Sequence, residues 1–81
     1  MPRFHFDVRE EDRVIPDEVG VELESVEAAE REAICRVTEI SQERLLKGIT
    51  SDIEVQVKDH EGFLLTVTAS VVVRRTVRAL A

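Results

Sequence analysis

Of the side chains in this 81-residue chain that could start nucleophilic or acid–base chemistry, the candidates of the usual kind are Cys35, His5 and His60. A nucleophile needs a base within hydrogen-bond reach, so Cys35 with one of the histidines is the pair to weigh. Their surroundings argue against it. At 100° per residue Cys35 falls about 180° from Val26 on the helix that carries both, turned away from the sheet that holds His5. His60 stands in a turn between Asp59 and Glu61. The pattern reads as an outward thiol and two solvated histidines, and no enzymatic activity is expected.

The carboxylates give the next candidate chemistry. Glu10, Glu11 and Asp12, with Asp17 and Glu18 beyond them, supply the hard oxygens that Ca²⁺ or Mg²⁺ require. Their spacing lacks the regular ligand ladder of an EF-hand loop, so a solvated acidic loop is expected and no metal. The stretch "DEVG" contains one glycine where a phosphate-cradling loop uses several, and its acids repel phosphate. No cofactor is expected. A single cysteine excludes an intrachain disulfide and a cysteine-based zinc cluster.

A net charge of -6 argues against a nucleic-acid binder that works through a general positive field. The distribution is uneven. Most carboxylates lie between Asp7 and Glu32, whereas Arg74, Arg75 and Arg78 close the chain with no acid among them. These ends can attract each other or an identical neighbour, although exposed pairs are typically worth about 0–1 kcal/mol each. No apolar run exceeds three residues, as in Val71, Val72 and Val73, against roughly 20 for a membrane-spanning helix. The N-terminal "MPRFHFDV" lacks the apolar centre of a signal peptide, so a cytoplasmic location is expected.

The elements that must position these residues follow from periodicity. Eighty-one residues make a single domain, 1–81, and a chain of that size buries only about 60% of its unfolded surface. Phe4, Phe6 and Val8 alternate with polar residues and predict a strand over 3–9 with one buried face. "REEDRVIPDEVG" reads as a long loop containing Pro16, with Asp17 and Gly20 as turn residues. Val19, Val21 and Leu23 alternate, enough for a short second strand or an extended segment that lies beside the first. Ser25 is a good N-cap and Glu27 suits the positive end of the dipole, so a helix is predicted from Val26 to near Lys47, with Gly48 as its stop. Val26, Ala29, Ala33, Val37 and Ile40 form its apolar stripe, with Ile34 at the margin.

Beyond the helix, Ile53, Val55 and Val57 alternate up to the turn "DHEG". A returning strand over 63–73 follows, with Leu65, Val67, Ala69, Val71 and Val73 on one face. So long a β-branched strand is a pairing liability, blunted only by arginines at its far end, and predicts either an edge or a partner chain alongside. Residues 74–81 are a tail or a continuation of it. The fold expected is an α+β two-layer sandwich in the order β-β-α-β-β, an antiparallel sheet of three or four strands with one long helix on one face.

Taken together, "MPRFHFDVR", "IPDEVGVEL", "EAAEREA", "KDHEG" and the final apolar strand resemble a family of short proteins found in rhizobia and related alphaproteobacteria, classed as a domain of unknown function. The resemblance extends to about Val73 and implies no activity, so it carries no site residues over. It implies an aromatic residue at the place of His5, where this chain departs. The strand, Asp and Gly turn and alanine-rich helix are also similar in topology to the partial-ribonuclease-H-like domain of HicB antitoxins, over roughly the first half. The function expected is a noncatalytic protein-interaction module, homodimeric, with Val67, Ala69, Val71, Val73, Arg74 and Arg75 as the interface. The alternative is a HicB-like antitoxin or regulator in which Arg74, Arg75 and Arg78 meet nucleic acid or an acidic toxin.

Overall fold

The computed structural model describes residues 1–49 and 51–78. Its elements run β1 (Arg3–Glu10), β2 (Arg13–Ile15), β3 (Val21–Glu22), α1 (Val26–Leu46), β4 (Ile53–Asp59) and β5 (Gly62–Ala69). One antiparallel sheet has the order β2-β1-β4-β5, with β3 pairing along the same side of β1 as β2. The α+β architecture predicted from periodicity is present, with five strands instead of three or four.

The extra strand lies where a loop was expected. Glu11 and Asp12 form a two-residue turn that sets Glu10 opposite Arg13, and Glu11 takes φ 53° to make it. Three residues of β2 then pair with Val8, Arg9 and Glu10 before Pro16 ends the ladder.

Helix α1 begins where Ser25 accepts from the Ala28 amide at 3.1 Å. It ends where Gly48, at φ +77°, lets the Ile49 amide return to the Arg44 carbonyl at 2.9 Å. The helix lies mainly over β4 and β5. Ala29 and Ala33, without bulk, bring its axis close to the sheet, and Val37 extends the contact. Beneath them lie Phe4 and Phe6 of β1 and Ile53, Val55 and Val57 of β4, all buried. Each of these five contributes about 1.5–3 kcal/mol through burial. Leu65, Val67, Ala69, Val8 and Ile40 pack around the margin, whereas Val26 and Ile34 of the expected stripe are exposed.

The last strand is shorter than predicted. It ends at Ala69, because Ala69 pairs with Ile53 and β4 has no earlier residue to offer. Val71 and Val73, expected within the strand, fall outside it. Residues 70–78 continue without a ladder partner, and of the tail expected over 74–81, residues 79–81 lie outside the described residues. The molecule measures 60 × 23 × 16 Å. At 1.5 Å per residue the 21-residue helix is about 31 Å long.

Candidate interaction edge

The two margins of the sheet are built differently. Along the outer side of β1, β3 pairs with Arg3 and Phe4, and β2 pairs with Val8 to Glu10, leaving a gap at residues 5–7. Asp17 fills it. Its Oδ2 accepts the Phe6 backbone N–H at 3.1 Å, while its Oδ1 accepts those of Val19 at 3.2 Å and Gly20 at 3.0 Å. The Asp17 amide donates to Asp7 Oδ1 at 2.9 Å, and its carbonyl lies 2.8 Å from His5 Nδ1. A carbonyl only accepts, so His5 carries its proton on Nδ1. One aspartate thus takes the place of a strand.

Both carboxyls respond electrostatically. Burial alone pushes Asp17 up, but the amides of Gly20, Phe6 and Val19, with the Arg36 charge, bring it below the usual carboxylate value. Asp7, 5% exposed on the face away from the helix, is likewise pushed up by burial. The Asp17 amide and the Lys58 ammonium at 2.9 Å outweigh that and hold it low. Arg3 completes the clamp by donating to the Val19 carbonyl at 3.0 Å, and Gly20 lies so near Arg3 and His5 that no side chain fits there.

This arrangement accounts for the acidic stretch that sequence reasoning took as turn chemistry. It also separates the residues weighed for catalysis. His5 is on the sheet face opposite the helix and bound to Asp17, Cys35 is exposed on the helix, and His60 is exposed in the β4–β5 turn. Glu10 pairs with Arg44 at 2.8 Å rather than joining Glu11 and Asp12. Among the described residues no group of three His, Cys, Asp or Glu side chains could hold a metal ion.

Among the described residues the opposite margin is open. Strand β5 ends the sheet order, so one row of its backbone donors and acceptors faces outward over Gly62–Ala69. Leu65, Val67 and Ala69 turn toward the helix and are half-buried, with Thr66 and Thr68 outward. Of the residues predicted as an interface, Val67 and Ala69 therefore lie on this edge strand and Val71 is half-buried just after it. Val73, Arg74 and Arg75 are exposed in the segment beyond. Sequence reasoning missed Phe63, 69% exposed at the start of the same strand near Lys58. A bulge at Val57 and Lys58 sets it on the outer face.

No described helix is long and apolar enough to cross a membrane. Neither the curated proteins nor the solved structures include a match to this chain. A family model described as a domain of unknown function, DUF6894, matches residues 3–71, which takes in the helix, every strand and the first residues past β5. The chain, with its aspartate-filled margin and its open one, belongs to the DUF6894 family.

Proposed function

We propose that this protein is a noncatalytic protein-interaction module that works as a homodimer, joined through the open edge of β5 and residues 70–78. One observation carries the reading: an unpaired eight-residue edge strand runs directly into a segment in which Val72, Val73 and Val77 are 69%, 62% and 70% exposed. β-Branched residues left in water beside a row of free amides and carbonyls favour strand addition, which satisfies the backbone and covers the side chains together. A chain of this size has a narrow stability margin, and a second copy widens it by mass action.

Size-exclusion chromatography with light scattering tests this. The full chain is expected as a dimer at high micromolar concentration, and a chain ending at Ala69 as a folded monomer by circular dichroism. A full chain that stays monomeric throughout refutes the reading. A second reading, contact with nucleic acid or an acidic protein partner as in HicB-like regulators, is favoured by Arg74, Arg75 and Arg78 standing exposed together. It requires a gel shift with duplex DNA or RNA that disappears with added salt.

A further inference from the structure

We infer that the homodimer proposed above, on which this rests, joins its two β5 edges antiparallel. The sheets then run on as one, and both α1 helices stand on the same face with their Ile34 and Leu45 flanks turned toward each other. Symmetry leaves two ways to pair an edge with its own copy. A two-fold axis perpendicular to the sheet runs the strands antiparallel and keeps the helices on one side. An axis along the strands runs them parallel and in step, residue beside like residue, with the helices on opposite sides.

The pleat favours the first. Leu65, Val67 and Ala69 face the helix half-buried, while Thr66 and Thr68 face outward beside Gln56 and Glu54 of β4. Parallel pairing turns one copy over, which sets the apolar row of each beside the threonines, glutamine and glutamate of the other. Antiparallel pairing sets apolar row beside apolar row in every register that the pleat allows.

Charge favours it too. Arg74, Arg75 and Arg78 lie in residues 70–78 with no acid among them. In-step parallel strands bring Arg74 and Arg75 of one copy against Arg75 and Arg74 of the other, like charges that weaken a strand pair. Residues 70–78 would then pair only with their counterparts beyond the Ala69 and Ile53 end of the sheet, as a two-stranded ribbon of marginal stability. Antiparallel pairing instead directs each segment toward the β4–β5 turn of the other copy, which carries the acids Asp59 and Glu61.

The two flanks of the helix differ in the same sense. Arg36 sits 4.4 Å over the Phe6 ring, and Glu32, Arg36, Glu39 and Ile40 line a hollow with Val8, so this flank faces β1. At 100° per residue Ile34 and Leu45 fall on the flank toward β5, where they are 46% and 43% exposed. With both helices on one face, these aliphatic side chains look across the axis at their counterparts. With the helices on opposite faces, they look out over the polar face of the other sheet.

In a Cys35→Ser background, nitroxide labels at Thr66→Cys, Thr68→Cys and Ser70→Cys read the polarity by dipolar electron paramagnetic resonance. Alternation points all three away from the sheet, clear of the paired edge. Antiparallel pairing makes the distance between like labels grow by about 14 Å from one position to the next away from the axis, since each residue adds about 3.4 Å on either side of it. That stepwise growth is the expected result, whatever the register. One unchanging distance at all three positions overturns the antiparallel arrangement and leaves the homodimer standing. A dimer in which no label couples to its counterpart overturns pairing through this edge. A chain that is monomeric by light scattering overturns the homodimer itself.

Discussion

Replacing Asp17 by alanine removes three accepted hydrogen bonds at once, and the structure gives each loss a different weight. The Phe6 amide, 3.1 Å from Oδ2, belongs to a buried residue in the gap between β2 and β3, where water has poor access. An unmet buried donor costs about 1–3 kcal/mol. Gly20 is half-buried and loses a charge-assisted bond, while the Val19 amide is exposed and recovers a partner from solvent. The sum is about 3 kcal/mol. A domain of this length holds about 4–12 kcal/mol in all, and each kilocalorie shifts Tm by about 4–8 °C, so Asp17→Ala should lower Tm by about 12–24 °C. Asp17→Asn keeps one oxygen acceptor and should cost about half as much. The sign with pH follows from the direction of the carboxyl shift. Asp17 and Asp7 are held below their ordinary values in the folded state, so the stability they contribute is complete above the unfolded value of about 4. It is lost as pH falls through the folded values. Wild type should therefore weaken steeply below about pH 4, and Asp17→Ala less steeply, since half of the coupled pair is gone. Urea titrations followed by circular dichroism at pH 7 and pH 3 measure both quantities. A loss below about 0.5 kcal/mol at pH 7 with an unchanged acid limb would refute the assignment of Asp17 as the filler of the strand gap.

Other substitutions probe the remaining features. Gly20→Ala forces a side chain into φ +78° with its Cβ 2.9 Å from Arg3 Cγ and His5 Cε1, and thermal melts should show a loss of about 2 kcal/mol. Glu11→Gly relieves the positive φ in the β1–β2 turn and should raise stability by about 1 kcal/mol in the same assay. Ile53→Val, at the buried start of β4, should cost about 0.5–1.5 kcal/mol with an unchanged denaturant slope; a neutral result would mean that the site is not packed as described.

The helix and the β4–β5 hairpin were legible because their signals are local. Ser25 and Gly48 mark the ends of α1 whatever surrounds them, and the alternation of Phe4, Phe6 and Val8 or of Ile53, Val55 and Val57 needs only one buried face to declare itself. Strand β2 gave no such signal. Its three residues are all exposed, too few to show a period, and its turn uses Glu11 at a positive φ where a glycine or asparagine would have marked it.

Asp17 was legible as a turn residue but not as a strand surrogate, since the amide it accepts belongs to Phe6, eleven positions away. Strand β5 was read too long for a related reason. Periodicity runs on through Val71 and Val73, but a strand needs a neighbour, and β4 starts at Ile53. The exposed Phe63 escaped notice because a bulge, not the alternation, decides its face. What sequence could not carry was in each case which backbone pairs with which, a property of two segments together and of neither alone.

The unequal margins have a consequence for how large an assembly can grow. A pleated ribbon with both borders bare polymerises, since every addition exposes a fresh border. Here one border is capped by a carboxylate and two scraps of strand. Were two molecules to join by their bare borders, only capped ones would remain, and growth would stop at a pair.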